Sequence, residues 1–288
     1  MTLTNTGESP IPLLEFLEAQ ITGQSRTTLK SWLKHGQIMV DDKITSAFDV
    51  EVNPGSEVKV NTARQFITLR NPRLKLVYED DDVIVIDKGY GLLSVGIPGA
   101  AKGKVQSAYD IVREYLKKKS PANKLFVVHR LDRDTSGLMM FAKNEEAMET
   151  LRHNWNNYVL ERYYVALLEG NVKNDEGIIK SHLAENSQYK VYSTSNEDEG
   201  KLAVTRYKVL KRNNVTTLVQ FALSTGRKNQ IRVHASEMGH PIVGDEKYGA
   251  KFKKAGKLCL HARTLRFAHP ITRKDMNFES PVPIRFYK

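Results

Sequence analysis

Alternating stretches of apolar and polar residues divide the chain into a short first part and a longer second part. The first part begins with a polar, turn-forming segment over residues 1–10, expected to be a loose leader, and ends with a strand pattern over residues 56–60. Between them, apolar residues recur at helical spacing over 25–36, with favourable capping residues at both ends. This order predicts a small α/β domain over residues 1–62, joined to the rest by a linker over residues 63–73.

The second part, residues 74–288, carries the longer apolar runs that form buried strands. A glycine-rich stretch over 96–104 predicts a mobile loop, and residues 172–200 are polar and rich in turn-forming residues. Helical spacing extends over 106–119 and 144–155. The predicted strands are 83–86, 126–128, 138–141, 162–170, 204–209 and 215–223.

One polar nonapeptide, HRLDRDTSG at residues 129–137, lies between two of these apolar runs. A loop fixed at both ends by core strands can hold a reactive group rigidly. Two arginines, Arg130 and Arg133, surround the carboxylates of Asp132 and Asp134. Nearby cations favour the ionised carboxylate, and a held, partly desolvated carboxylate can act as a nucleophile or general base.

The nonapeptide closely resembles the active-site motif of the RluA-like pseudouridine synthases, whose catalytic aspartate has the position of Asp132. Two more stretches resemble motifs of that family in the expected order: RYYVALLEG at 162–170 and LSTGRKNQIRVH at 223–234. The resemblance covers most of the chain. It implies an α+β fold class: a mixed, mainly antiparallel sheet with flanking helices and a central RNA cleft. It also implies an enzyme that converts uridine in RNA to pseudouridine without a cofactor or a metal.

The resemblance assigns roles to five positions of this sequence. Asp132 would attack the anomeric carbon of the sugar, act as a base to form a glycal, or attack the uracil ring. Arg227 would pair with Asp132 and hold it ionised. Tyr164 would stack on or hydrogen-bond the uracil, while Ile231 would pack against its other face. Arg130 would fill the space left by an extruded uridine or clamp a phosphate. Its structural alternative is a salt bridge to Asp134 or a contact with a loop carbonyl.

The sequence departs from the family pattern at two positions. Gly89 stands where a proline is usual after Lys88, which predicts a more flexible loop. Asn229 stands where histidine is more usual in the third motif.

The first part resembles the S-four-like RNA-binding domain, through SRTTLKSWLKHGQIMVDDK at 25–43 and the later PGSEVKV. Arg26, Lys30 and Lys34 recur every fourth residue on one face of its predicted helix, and we call them the cationic stripe. The stripe suits contact with RNA phosphates, although a solvated helix face explains the same spacing. Asp41 and Asp42 replace the usual Asn-Gly-like turn.

Charge and cysteine content narrow the possible partners. The chain has 44 Lys+Arg against 33 Asp+Glu, net +11, which favours a polyanionic partner. The S-four-like first part of the chain favours large-subunit ribosomal RNA over transfer RNA as the substrate. A single cysteine, Cys259, in an apolar context fits a reducing compartment. We therefore expect a cytoplasmic monomer that uses neither a membrane nor a metal.

Other chemistries fit the sequence less well. HRLD is similar to the kinase catalytic loop, but no GxGxxG, no lysine strand and no DFG accompany it. The histidines form no HExxH pattern, so His129, His234 and His261 are expected to be hydrogen-bonded structural residues. A non-catalytic RNA-binding assembly factor with the same fold remains the alternative from another class, and the same activity on transfer RNA remains a second one.

Overall fold

The computed structural model describes residues 1–63, 65–96, 106–252 and 256–287. Most of the loop predicted at 96–104 therefore lies outside the described residues. Within the described residues, no helix is both long and apolar enough to span a membrane.

The chain divides into two compact units, Met1–Thr68 and Leu69–Lys288, and the boundary falls inside the predicted linker. The elements of the first unit are β1 (Thr2–Thr4), β2 (Ile11–Pro12), α1 (Leu13–Gln20), α2 (Arg26–Lys34), β3 (Ile38–Val40), β4 (Lys43–Ile44), β5 (Glu51–Val52) and β6 (Glu57–Val60). Strand β1 pairs antiparallel with β6, so the expectation of a loose leader is wrong for residues 2–4. Pairing with β6 gives these three residues backbone hydrogen bonds that the polar, turn-forming composition of the segment did not predict.

Helix α2 is the predicted helix of the first unit, and its capping residues act as expected. The Ser25 hydroxyl accepts a hydrogen bond from the backbone of Thr28 at 3.1 Å. Gly36 follows the helix with φ of +66°, in the left-handed region that glycine favours. Leu29 and Leu33 are buried, so this face of the helix packs against the core of the unit.

The turn between β3 and β4 explains how two aspartates replace an Asn-Gly-like turn. Asp41 and Asp42 both have positive φ, +46° and +62°, as a type I′ turn requires. The Asp41 carboxylate accepts hydrogen bonds from the Ser56 hydroxyl at 2.8 Å and the Glu57 backbone at 2.9 Å. Lys59 donates to Asp42 at 2.6 Å. These contacts offset the backbone strain that a side chain at positive φ introduces.

The second unit is built on one large sheet. Its elements are β7 (Leu74–Glu79), β8 (Val83–Lys88), α3 (Ala108–Lys119), β9 (Phe126–Val127), β10 (Ser136–Ala142), α4 (Glu145–His153), α5 (Trp155–Tyr158), β11 (Val159–Glu169), β12 (Glu176–Glu185), β13 (Val191–Thr194), β14 (Lys201–Arg212), β15 (Thr216–Leu223), α6 (Gln230–Glu237), β16 (Leu260–Ala268) and β17 (Asp275–Glu279), with 3-10 turns at Glu246–Tyr248 and Ile284–Phe286. The strand order is β13-β12-β14-β15-β11-β16-β10-β8-β7, with β17 beside β16 and β9 beside β10. Only the β10–β16 pair is parallel among the described pairings. The predicted α+β fold with a mainly antiparallel sheet is confirmed.

Two local predictions for this unit need correction. Residues 172–200 contain the long strand β12 and the short strand β13, not only turns. The sequence of β12 lacks the regular alternation that predicts a strand, because Ile178 and Ile179 are adjacent and three polar residues, 180–182, follow them. The helix predicted over 144–155 is interrupted at Asn154, so α4 and α5 are separate.

Gly89 is held in place, contrary to the flexible loop predicted there. Its backbone N–H donates to the carbonyl of Arg73 at 2.7 Å, a bond that a proline could not make. A Cβ atom at Gly89 would lie 2.6 Å from the same carbonyl oxygen. The close approach of these two segments therefore requires glycine.

Candidate active site

A cavity of ≈ 440 Å³ opens in the second unit where the loop that carries residues 129–137, called the central loop, faces β11 and the start of α6. Its volume falls in the range of small-molecule sites. Residues from all three predicted motifs line it, including Arg130, Asp132, Tyr164, Arg227, Ile231 and Arg232. The structure thus brings together every catalytic and base-binding residue expected in this part of the chain.

The backbone on either side of Asp132 is fixed by buried polar side chains. The Ser94 hydroxyl donates to the carbonyl of Leu131 at 2.6 Å and accepts from its N–H at 3.0 Å. The fully buried Lys88 ammonium donates to the carbonyl of Arg133 at 3.1 Å and to that of Leu92 at 2.8 Å. Burial lowers the pKa of Lys88 to about 8. Ser94 and Lys88, which lie outside residues 129–137, therefore fix the backbone of this loop.

The Asp132 carboxylate is largely surrounded by protein but keeps 26% of its side chain accessible, because it faces the cavity. Burial raises the pKa of this carboxyl. The charges of Arg232 and then Arg130 oppose the shift, as does the charge of Lys88. The carboxylate is therefore desolvated, as a reactive group should be, while cations lower the cost of its charge.

The cation next to Asp132 is Arg232 and not the predicted Arg227. Arg232 Nη1 lies 4.0 Å from Asp132 Oδ2. Arg227 instead turns its Nε to the carbonyl of Leu202 at 3.0 Å, although it still lines the cavity. The pairing assigned to Arg227 is thus corrected to Arg232, which follows Ile231 in the same motif. On the first turn of α6 its side chain projects toward the central loop.

Arg232 is itself held by a buried acid. Its Nε and Nη2 donate to the two carboxylate oxygens of Asp245, each at 2.7 Å, and the Asp245 side chain is only 1% accessible. Such a bidentate pair fixes the plane of the guanidinium. The ring of Tyr248 lies 4.9 Å from the guanidinium carbon. Asp245 and Tyr248 lie in the stretch after α6, and sequence reasoning assigned no role to either.

The start of α6 depends on two amides. Asn229 has φ of +54°, which asparagine tolerates better than most residues. Its Oδ1 accepts from Arg232 Nη1 at 3.2 Å, and its Nδ2 donates to the Tyr248 hydroxyl at 3.0 Å. The Gln230 side chain accepts from Thr225 at 2.8 Å and from the Arg227 backbone at 3.0 Å. Asparagine at 229 therefore supports the arginine that faces Asp132.

Tyr164 and Ile231 supply apolar walls of the cavity. Tyr164 is 8% exposed on β11, and burial raises the pKa of its hydroxyl. Among the described residues, no partner hydrogen-bonds that hydroxyl, so it is available to a ligand. Ile231 is 4% exposed and lines the same space.

Arg130 is exposed at the rim of the cavity, and no described acid pairs with it. Asp134 is instead held by Arg133, at 3.2 Å through two nitrogens. The alternative in which Arg130 makes a salt bridge to Asp134 is therefore wrong.

The three histidines singled out earlier are hydrogen-bonded structural residues, as expected. His129 Nε2 accepts from the Met140 backbone at 3.0 Å. Burial lowers the pKa of His129 to about 3 and that of His234 to about 4, so both rings are neutral. His234 bridges Thr205 and Ser181 at 2.8 and 3.0 Å. His261 contacts the Ser136 hydroxyl at 2.9 Å, next to the central loop.

One further cluster, Asp80, Asp82 and His269, has the residue types of a metal site within 4.8 Å among the described residues. Its hydrogen bonds argue against that use. His269 Nδ1 accepts from two backbone N–H groups, at Ile271 and Thr272, so the proton is on Nε2. That nitrogen donates to Asp80 at 3.0 Å and has no lone pair to offer a metal.

The cationic stripe of α2 is exposed, on the helix face beside the buried Leu29 and Leu33. Arg26 is partly compensated by Glu18 at 3.3 Å. The Lys30 ammonium lies 5.7 Å from the ring of Phe48, an exposed aromatic residue. Within the described part of the chain, Lys34 has no ion-pair partner, so the stripe keeps free positive charge.

Comparison with known proteins places this geometry in a family. Residues 82–237 match a family described as RNA pseudouridylate synthase. The uncharacterized RNA pseudouridine synthase YlyB of Bacillus subtilis is 35% identical, over 93% of this chain and 89% of its own. Ribosomal large subunit pseudouridine synthase D of Pseudomonas aeruginosa is 32% identical, over 95% and 89%. The structure of human RNA pseudouridylate synthase domain containing 4 matches with a TM-score of 0.60 and 25% identity, over 74% of this chain and 90% of that one.

Proposed function

Because this chain belongs to the RluA-like family of RNA pseudouridine synthases, we propose that it isomerises particular uridines of large-subunit ribosomal RNA with Asp132 as the reactive group. The isomerisation breaks the bond between the sugar and N1 of uracil and joins the sugar to C5. N1 gains a proton and C5 loses one. No oxidation occurs, so side chains alone can supply the chemistry.

The observation that carries this proposal is the arrangement of Asp132, Arg232 and Tyr164 around one cavity. The carboxylate is desolvated and faces the cavity, with Arg232 4.0 Å away. Attack on the sugar, glycal formation and attack on the uracil ring all begin from this carboxylate. Tyr164 and Ile231 offer an aromatic and an aliphatic surface on which the freed uracil is retained while it turns. In this proposal the Tyr164 hydroxyl, which stays protonated because burial raises its pKa, donates a hydrogen bond to the uracil.

A uridine reaches such a cavity only after it leaves the RNA stack. Extrusion costs a few kcal/mol, and less where the nucleotide is unpaired. Arg130, exposed at the rim, either occupies the vacated position or holds a phosphate. Both roles retain the flipped nucleotide, and both need the free guanidinium that the structure describes.

The first unit supplies additional affinity in this proposal. We assign it as an S-four-like RNA-binding domain over residues 1–62, in which Arg26, Lys30 and Lys34 contact phosphates. Contacts of this kind raise affinity for structured RNA without reading its sequence. The choice of ribosomal RNA is supported by relatives such as the Pseudomonas aeruginosa protein, whose name specifies the large ribosomal subunit. We further propose that the enzyme acts in the cytoplasm as a monomer, without a metal or a cofactor.

A pseudouridine map of total RNA tests this function. RNA from cells with and without the protein is compared at nucleotide resolution, in both ribosomal and transfer fractions. The proposal requires specific large-subunit positions to lose pseudouridine when the protein is absent and to regain it on complementation. Loss confined to transfer RNA would reassign the substrate, and identical maps would refute the activity in these cells.

A further inference from the structure

One arginine of the cavity wall has no role in the mechanism above. Arg162 lies on β11 two residues before Tyr164, so both side chains point to the same face of the sheet. Arg162 is half-buried and lines the cavity that contains Asp132. Its position places a permanent positive charge beside the space that the uridine must enter.

The contacts of Arg162 fix its orientation without neutralising it. Its guanidinium carbon lies 5.5 Å from the ring of Trp155, which also lines the cavity. Its Nη2 is 3.5 Å from the carbonyl of Leu223, a long hydrogen bond. Among the described residues, no carboxylate lies within ion-pair distance of it. Arg232, by contrast, has both Asp245 and Asp132.

The titratable groups near Arg162 do not supply the missing negative charge. His129 packs on Trp155 with ring centroids 5.1 Å apart, and it is neutral. Burial lowers the pKa of His129 to about 3, and the charge of Arg162 adds to that effect. Burial also raises the pKa of the Tyr164 hydroxyl, which therefore stays protonated. A half-buried charge without a partner is costly, so this arrangement is better explained by a ligand that completes it.

We propose that Arg162, held on the face of Trp155, binds a backbone phosphate of the nucleotide that enters the cavity. Uracil and ribose are neutral, so the phosphate is the part of the substrate that complements the charge. Stacking on Trp155 leaves the edge of the guanidinium free, and that edge carries the paired N–H donors that suit phosphate oxygens. This inference rests on the proposed function, because it takes an RNA nucleotide as the occupant.

Binding of free nucleotides tests the proposal without requiring turnover. The chain has two tryptophans, so Trp32→Phe leaves Trp155 as the only one. In this background, uridine, uridine 5′-monophosphate and uridine 3′-monophosphate are titrated against tryptophan fluorescence. We expect one monophosphate to bind about tenfold more tightly than uridine, the scale of one charge-assisted contact. Arg162→Gln should remove that difference, and Arg162→Lys should retain part of it.

The control is Arg206→Gln, which removes an exposed arginine from the neighbouring part of the sheet. Arg206 is opposite Ala222, and Ala222 is opposite Tyr163, so its side chain is on the face away from Tyr164. We expect nucleotide binding by this variant to match that of the parent. Equal affinity for uridine and both monophosphates in the parent would overturn the proposal. So would an Arg162→Gln variant that weakens uridine and monophosphates equally, since this indicates a base contact or a purely structural role.

Steady-state kinetics give a second test, for the case in which free nucleotides bind too weakly to titrate. The substrate is total RNA from cells that lack the protein. Arg162→Gln should raise KM about tenfold with a much smaller change in kcat, and an unchanged KM would overturn the proposal. If neither the parent protein nor any variant forms pseudouridine, the proposed function is wrong. The titration still tests the phosphate preference independently of turnover.

Discussion

Arg232 Nη1 lies 4.0 Å from Asp132 Oδ2 and forms an ion pair between the central loop and α6. The distance is longer than a direct hydrogen bond. Arg232 is bound more tightly on its other side, by both oxygens of Asp245 at 2.7 Å. Asp245 therefore fixes the position of the Arg232 guanidinium, whereas the Asp132 carboxylate is not held by a direct hydrogen bond to it.

Asp245→Asn should reduce activity by acting through Arg232. The neutral amide keeps the shape of the side chain but loses the charge-assisted bidentate pair, so the guanidinium is no longer fixed beside Asp132. We expect kcat to fall about 10- to 100-fold, with a small change in KM, in an assay of pseudouridine formation. The matched control is Asp275→Asn, which removes a similar charge-assisted pair from Arg266, a residue that does not line the cavity. Equal losses in both variants would contradict the role given to Asp245.

The raised pKa of Asp132 predicts a stability effect with a definite sign. Folding disfavours the ionised form, so the wild-type protein loses stability as pH rises from the ordinary value of 3.8 through the raised pKa. Asp132→Asn has no such charge and should be more stable than the wild type at neutral pH. Urea unfolding across a descending pH series should show that advantage shrinking toward acid pH. A destabilised variant at neutral pH would contradict this assignment.

The same shift predicts the acid limb of the pH–rate profile. In the proposed function only the carboxylate form of Asp132 reacts, so we expect kcat/KM to fall on acidification at a pH above the ordinary aspartate value of 3.8. A profile that stays flat down to that value would contradict the raised pKa.

Gly89→Pro, which restores the residue usual in the family, should destabilise this protein. The variant removes the hydrogen bond to the Arg73 carbonyl and places ring atoms against it, at a cost of about 3 kcal/mol. Thermal or urea unfolding measures the loss. Gly96→Ala is the control, because a Cβ there meets only an ordinary contact at 3.8 Å and should change stability by less than about 0.5 kcal/mol. A neutral Gly89→Pro would show that the segment rearranges freely.

The cationic stripe predicts a change in the salt dependence of RNA binding. Lys30→Ala combined with Lys34→Ala should weaken binding and reduce the slope of log K against log salt by about 1.5. Arg26 is left intact because Glu18 already offsets part of its charge. Lys118→Ala combined with Lys124→Ala is the control, since each of those lysines pairs with a glutamate. An unchanged slope in the stripe variant would mean that this helix face does not contact RNA.

Helix caps and apolar runs predicted much of the fold, because each depends only on residues close together in the sequence. Ser25 and Gly36 bound a helix, and the long apolar runs form buried strands, as expected. The family resemblance, confirmed by the comparisons, supplied the class of sheet but not its strand order. Strand β12 was missed because its apolar and polar residues do not alternate regularly. The pairing of β1 with β6 was missed because it joins segments more than fifty residues apart.

At the candidate active site, the sequence predicted which residues line the cavity but not all of their contacts. The three motifs identified Asp132, Tyr164 and Ile231 as lining one cavity, but not which arginine faces the carboxylate. Arg227 and Arg232 lie in one motif, and the turn at the start of α6 selects between them. That turn depends on Asn229 at positive φ, and on Asp245, which follows α6 and belongs to none of the three motifs. Contacts between distant segments are set by the packed structure, so spacing alone could not reveal them.

Pseudouridine formation by Asp132→Asn shows whether the carboxylate at position 132 is the reactive group. Purified wild-type and variant proteins are given total RNA from cells that lack the protein, and both RNA binding and pseudouridine content are measured. We expect the variant to bind RNA as the wild type does but to form pseudouridine at least about 10⁴-fold more slowly. Turnover by Asp132→Asn at a rate close to that of the wild type would contradict it.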